Sequence, residues 1–332
     1  MSVPNGIVYK GENEMLLEPE KSGQGSAGII EGAAVDSVIM FSNHKGVYKR
    51  GIEKRQRRLL GKLSFMRPFL NDDEKILLVT TGCSPVSFGE QLLGGWVVFY
   101  LKRCVLVFTN KRIFHIPTKG DFSYRQSISQ IMYGDCRSIV MKGRTLVVKY
   151  ESGKKEKFLY MYRSERKKIK VLLGSIALQG ERSSALQRTH LCPRCGGVLV
   201  KDYFQCPECK VEFKNMKEAW RISVLYPGGG YFYTRHPWLG AADAVTETYL
   251  SVLVIVTLVN VIRDVEESMF AFWLFAVILG FEKVVTVYHS NHFIEEYIPK
   301  DRHIRFGDET TEALEGAKDA AKPGDDSALW VR

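Results

Sequence analysis

Two long apolar runs, residues 241–262 and 269–288, are separated by only six residues, Arg263, Asp264, Val265, Glu266, Glu267 and Ser268. As helices they extend about 33 and about 30 Å, each close to the thickness of a bilayer's hydrocarbon layer. So short and polar a link makes the two helices run antiparallel, as a hairpin. The second run opens with MFAFWLFAVILGF, and Phe270, Phe272, Trp273, Leu274 and Phe275 cover every side of a helix. A helix on the surface of a soluble core would leave one face polar. The strictly apolar stretches are 13 or 14 residues long, a length that a buried hairpin of a soluble core also uses, so that alternative stays open.

The flanks orient the hairpin. Lys210, Lys214, Lys217, Arg221 and Arg235 precede it, Lys300, Arg302 and Arg305 follow it, and the link carries Arg263 against Asp264, Glu266 and Glu267. The excess of cations at the ends puts both termini on the cytoplasmic side of a two-span membrane protein. Asp243, Glu247 and the pair Glu282 and Lys283 intrude into the runs. Equal rise from a pivot near residues 265 and 266 sets Lys283 opposite Thr248, which predicts an ion pair between Glu247 and Lys283 inside the bilayer. The alternative is that these charges reach the headgroups separately.

About thirty residues upstream lie Cys192, Cys195, Cys206 and Cys209, two C-x-x-C hooks around ten intervening residues. Thiolates at this spacing suit a tetrahedral zinc ion, and Gly196 supplies a turn after the first hook. Four sulfur ligands leave no open position, so the zinc is expected to be structural. Residues 198–200 and 203–204 read as the two strands of a hairpin joining the hooks. Cys83, Cys104 and Cys136 are single and scattered, which argues against a disulfide framework and for a reducing compartment. This segment, 188–214, is read as a zinc ribbon, and His190 beside it as a solvated histidine.

Between the hooks and the hairpin runs LYPGGGYFYTRHPWLG, in which Pro227 and three glycines break any helix. Pro227, Gly228, Gly230, Phe232, Tyr233, Arg235 and Gly240 resemble the motif that leads into the first span of the two-transmembrane-helix domain family. The resemblance covers about residues 218 to 290; it implies a membrane module and no particular chemistry.

Residues 71–178 have a different texture. Stretches 76–80, 96–108, 112–116, 146–150 and 157–161 are β-branched or aromatic, with turn signals between them, and a basic helix at 164–177 closes the segment. This predicts an α+β domain, a small β-barrel plugged by its C-terminal helix. The stretch VFTNKRIF, with Ile128 and Ile131 and a later Gly-Lys hairpin, is similar to pleckstrin-homology-like and GRAM-like domains, which implies a docking module. From Val79 to Leu101 there is no Lys or Arg, so the basic first hairpin that grips inositol phosphates in such domains is missing. Cys104 and His115 read as core residues.

The chain of 332 residues has 47 Lys and Arg against 37 acids, a net charge of +10, and residues 41–70 alone hold nine cations against Glu53. There Ile52, Leu59, Leu63, Met66 and Leu70 share one helical face while Arg50, Lys54, Arg57 and Arg58 occupy another, with Pro68 expected to end the helix near Met66. The basic face is a candidate contact for anionic lipid headgroups. Residues 1–40 and those from about 307, within the cytoplasmic tail 291–332, read as flexible.

No phosphate-binding loop, dinucleotide fingerprint, nucleophile elbow or metalloprotease helix is present in the sequence. The expectation is a multidomain, non-enzymatic scaffold that docks a protein partner or anionic lipid at the bilayer. Transport would need a homo-oligomer. A membrane-tethered ribbon that binds nucleic acid is the alternative, and the weaker one, because only Lys201, Lys210 and Lys214 lie near the hooks.

Overall fold

The computed structural model describes residues 28–30, 33–263 and 268–307. Strands β1 (Gly28–Ile30) and β2 (Ala33–Val35) lead into helix α1 (Ser37–Phe41), whose first turn is capped by Asp36 accepting the Ile39 N–H. Val35 and Met40 are fully buried. The flexible segment expected at 1–40 is thereby corrected from Ala33 onward, because these apolar side chains complete a core that the rest of the chain leaves open. Residues 1–27 and 31–32 lie outside the described residues.

Helix α2 (Arg50–Leu60) passes at Gly61 into tighter 3-10 turns that run to Phe69, across Pro68. The expected stop near Met66 fails for a physical reason. Leu60, Leu63, Met66 and Phe69 recur every third residue and are all buried, a spacing that three residues per turn stack on one side.

The sheet follows: β3 (Ile76–Cys83), helices α3 (Phe88–Gly94) and α4 (Val97–Leu101), β4 (Arg103–Thr109), β5 (Arg112–Pro117) and β6 (Ile128–Met132). The strand expected over 96–108 starts only at Arg103. Trp96 and Tyr100 are exposed, and the buried run begins at Cys104, so the first half had no sheet to pack in. Along β4 and β5 the pleat sends alternate side chains to two cores. Val105, Val107, Phe114 and Ile116 pack beneath α1, α2 and the 3-10 turns, while Cys104, Leu106, Phe108 and Ile113 face the other way.

That second core is closed by β7 (Cys136–Lys142), β8 (Thr145–Tyr150) and β9 (Lys155–Phe158), and by α5 (Arg166–Ser175), which inserts Ile169 and Leu172. Reciprocal amide bonds of 2.8 and 2.9 Å between Cys83 and Leu159 join this three-stranded sheet to the end of β3. The result is a curled, mixed sheet, a half-barrel with a helix in its mouth. β2 and β3 run parallel, and the other pairings are antiparallel.

Strands β10 (Thr189–Leu191) and β11 (Val198–Leu199) extend the large sheet, β10 pairing with β6. Helices α6 (Met216–Leu225), α7 (Gly229–Tyr233), α8 (Pro237–Ile262) and α9 (Ser268–Ile294) complete the chain. Of the five residues between α8 and α9, 264–267 lie outside the described residues, as does the tail from 308.

His115 sits in the second core. Arg188 donates to its Nδ1 at 3.0 Å, so Nε2 carries the proton and donates to Ser84 at 2.8 Å. Burial first, and Arg188 second, hold its pKa well below the ordinary histidine value. His236, buried against Phe293 at 4.0 Å, is lowered by burial and then by Arg125. Both stay neutral when folded but bind protons in the unfolded chain from about pH 6.5 downward. The unfolded state therefore binds more protons there, and stability falls as pH drops, by about 1.4 kcal/mol per pH unit for each histidine. In detergent, the melting temperature should fall between pH 7.5 and 5.5. His115→Gln should start lower and fall less steeply.

Candidate metal centre and the glycine wedge of the hairpin

Each cysteine hook sits in the turn of its own small hairpin. After Cys192 and Cys195 the chain reverses at Gly196 (φ +75°), and β11 returns along β10, with Cys192 N–H donating to Gly197 O at 2.8 Å. After Cys206 and Cys209 it reverses at Lys210 (φ +59°), Cys206 N–H donating to Val211 O at 2.9 Å. The expected single hairpin of 198–200 with 203–204 is therefore replaced by two. Each left-handed turn folds the chain back on its own upstream strand, so Val198 and Leu199 pair with Leu191 and His190.

The four Sγ atoms lie within 4.8 Å of one another, with Cys192 to Cys209 and Cys195 to Cys206 both at 3.5 Å. Sulfurs around a tetrahedral ion with bonds of about 2.3 Å stand about 3.8 Å apart, so the cluster could hold a metal ion. Burial pushes the Cys192 thiol up to about 12. At Cys206 burial also pushes upward, but the amides of Cys209 and Glu208 together with the neighbouring thiols of Cys195 and Cys209 outweigh it, and the net shift is down. Four thiolates this close, those of Cys192 and Cys206 buried, need a central cation to stay charged together. His190 is half-buried rather than fully solvated. It packs on Tyr297 at 4.9 Å, and burial followed by Arg188 lowers its pKa to about 3.

The tail after the hairpin holds the cluster from the other side. Tyr297 OH donates to Val200 O at 2.8 Å and accepts the Asp202 N–H at 3.0 Å, while Lys214 N–H donates to Ile298 O and Gly307 N–H to Arg194 O. Sequence reasoning missed this strap. Tyr297 beside Ile298 and Pro299, followed by Ile304 and Phe306, was the available signal.

The glycine-rich motif folds as a wedge of α6, a turn and α7 against both long helices. Tyr226 is extended ahead of Pro227, which ends α6. Gly228 is left-handed (φ +65°), and a Cβ on it would collide with the Gly240 carbonyl of α8. Gly230 is pressed between Ser223 and Ser290, and the Phe232 ring lies on Gly240, where a Cβ would come within 2.9 Å. Tyr233 donates to Glu218 at 2.6 Å and accepts the Asn215 N–H. Arg235 reaches Gln126 at 2.7 Å and the carbonyls of Pro299 and Asp301 at 2.8 Å each, joining the wedge to the sheet domain and the strap.

Lys283 Nζ lies 2.7 Å from Glu247 Oε2 and donates to Ser223 O at the same distance. That carboxylate oxygen also accepts the Gly228 N–H at 2.9 Å, and Thr286 donates to Asp243 one turn away. Asp243, Glu247 and Glu282 each bring an oxygen within 4.8 Å of the others. Among the described residues, Lys283, the Gly228 amide and Thr286 thus serve a crowded acidic cluster where three helices meet.

Of the other expected contacts, Arg50, Lys54, Arg57 and Arg58 are exposed, and Arg57 pairs with Glu53 at 2.8 Å. The apolar side of α2 is taken up by the core, so this helix can meet an anionic surface only through charge. A second basic feature, an open cleft of about 900 Å³, is lined by His44, Tyr162, Arg163, Arg166, Lys167 and Lys170 among others.

No family model matches the chain, and no curated protein matches it. Among solved structures it is similar to the crystal structure of the C-terminal domain of an unknown protein from Leishmania infantum, with 16% identity and a TM-score of 0.21 over 35% of this chain and 89% of that one. A likeness of that size carries no argument about fold or function.

Two outcomes follow from the geometry. Cys206→Ser should lose most of its bound metal by elemental analysis, and the melting transition should become insensitive to chelator. Lys283→Met should lose about 3 kcal/mol or more by leaving Glu247 buried without its cation, and Glu247→Gln added to it should restore most of that loss. Thermal unfolding in detergent reads both.

Proposed function

We propose that the chain is a membrane-anchored interaction protein, in which the two-span hairpin holds a PH-like or GRAM-like docking module and a structural zinc ribbon on the cytoplasmic face. One observation carries the reading. Helices α8 and α9 are long and apolar enough to cross a membrane, yet only 11% and 6% of their most apolar windows are buried. Val252, Ile255, Ile262, Phe270, Trp273, Val277 and Phe281 all face outward, a surface that water disfavours and acyl chains accept.

Gly228 meets Glu247 ten residues into α8, about 15 Å from its first residue. In a bilayer the wedge would dip below the headgroups, with its exposed Trp220, Val224 and Leu225 toward lipid. The half-barrel with α5 in its mouth supports the PH-like assignment, and the closed set of four sulfurs supports zinc held for structure rather than chemistry. The cations flanking the hairpin support a cytoplasmic position for the ribbon and both ends. Exposed Arg50, Lys54, Arg57 and Arg58, with the basic cleft, suit an acidic partner or anionic headgroups.

The full chain should stay with the membrane pellet through alkaline carbonate extraction and float with liposomes. Release by carbonate would sink the reading. Retention of the released chain on RNA, with a steep salt dependence, would move it to nucleic-acid binding.

A further inference from the structure

We propose that the lobe formed by α3 and α4, which interrupts the half-barrel between β3 and β4, is a further membrane contact that lies in the headgroup layer beside the hairpin. The proposal rests on the reading of α8 and α9 as membrane-spanning, and adds a lipid surface on a part of the chain that has no transmembrane character.

The lobe presents apolar side chains to the outside. Phe88 is 82%, Leu92 71% and Trp96 79% exposed, and Val97 and Tyr100 are exposed beside them. Its surface carries little charge to offset this. Residues 85–101 hold one ionisable carboxylate, Glu90, which is buried and paired with Lys102 at 2.5 Å. Aromatic and aliphatic side chains on a nearly uncharged surface match the interfacial layer, where Trp and Tyr concentrate.

Its position says what covers it. Ser87 Oγ lies 3.2 Å from the Tyr288 hydroxyl of α9, Gly89 is so close to that hydroxyl that a Cβ would come within 2.6 Å, and Glu90 faces His292 at 3.8 Å. The antiparallel register set by Glu247 with Lys283 and Asp243 with Thr286 places Tyr288 level with Ala242, at the start of the apolar run of α8. Trp238, one turn further out, is also exposed. The apolar surface of the lobe is therefore continuous with the hairpin at the depth where headgroups meet acyl chains. The lobe is also held firmly, by the reciprocal cap between Ser87 and Glu90 and by the ion pair to Lys102. A rigid apolar surface next to a span meets the bilayer without ordering cost at binding, because the hairpin has already brought it there.

The test uses the full chain in phosphatidylcholine liposomes, with the photoreactive residue p-benzoylphenylalanine at one position at a time: Leu92 or Trp96 in the lobe, Ile255 in α8, and Val140 on β7 as an exposed control outside the lobe. Metal content and melting temperature confirm that each variant is folded. After irradiation, mass spectrometry should find lipid adducts at 92 and 96 well above the yield at 140, as at 255. Adducts at 255 without adducts at 92 and 96 would overturn the lobe contact while leaving the hairpin reading intact. Cross-linked chain dimers from 92 and 96 in place of lipid adducts would overturn it in favour of self-association. Absence of adducts at 255 would remove the hairpin reading and this proposal with it.

Discussion

The contact on which the C-terminal helical half depends is the one among Glu247, Lys283 and the Gly228 amide. An isolated charge buried between apolar helices is costly, and each of these two is tolerable because the other is within 2.7 Å. The price of that pairing is geometric: α8 and α9 must keep one register, and the glycine turn must approach closely enough for its amide to complete the site. Gly228, Gly230 and Gly240 are what permit that approach, since a Cβ at any of them meets backbone or side chain. The spacing of the motif is thus the spacing of a packing problem.

From that lock the geometry spreads outward. Arg235, just after the wedge, bonds at once to Gln126 in the sheet domain and to the carbonyls of Pro299 and Asp301 in the strap. The strap in turn packs Tyr297 on His190 and hydrogen-bonds to Val200 and Asp202 between the cysteine hooks. Since β10 is paired with β6, the thiol cluster is continuous with the half-barrel. A shift of α9 relative to α8 would therefore be felt by the cysteine cluster and the sheet together, through hydrogen bonds rather than through a loose linker.

How far the sequence was legible varies with the range of the interaction concerned. Two C-x-x-C hooks bring four sulfurs together because the local turn does it, and a constant helical rise is enough to bring residue 283 beside residue 247. The stretch 96–108 was readable only in its second half. β-branched and aromatic residues look alike in a strand and in an exposed lobe, and what separates them is whether a sheet neighbour exists. The end of helix α2 is not legible locally, because the switch to three residues per turn is driven by the core that Leu63, Met66 and Phe69 fill. The partner of Val198 and Leu199 is likewise hidden from the sequence, because strand pairing depends on where the left-handed turn at Gly196 sends the chain.

By itself, then, the sequence determined the apolar hairpin, the four-cysteine cluster, a mixed domain of strands and helices, and the charge asymmetry across the hairpin, since each depends on composition or on spacing within a turn or two. Tertiary structure alone decided that residues 33–41 complete a core, that the glycine motif is a wedge bonded to Glu247, that the tail straps the cysteine cluster, and that the lobe of α3 and α4 faces outward beside Tyr288. Those arrangements join residues far apart in the chain, and neither propensity nor periodicity carries information about which distant surface a segment will meet.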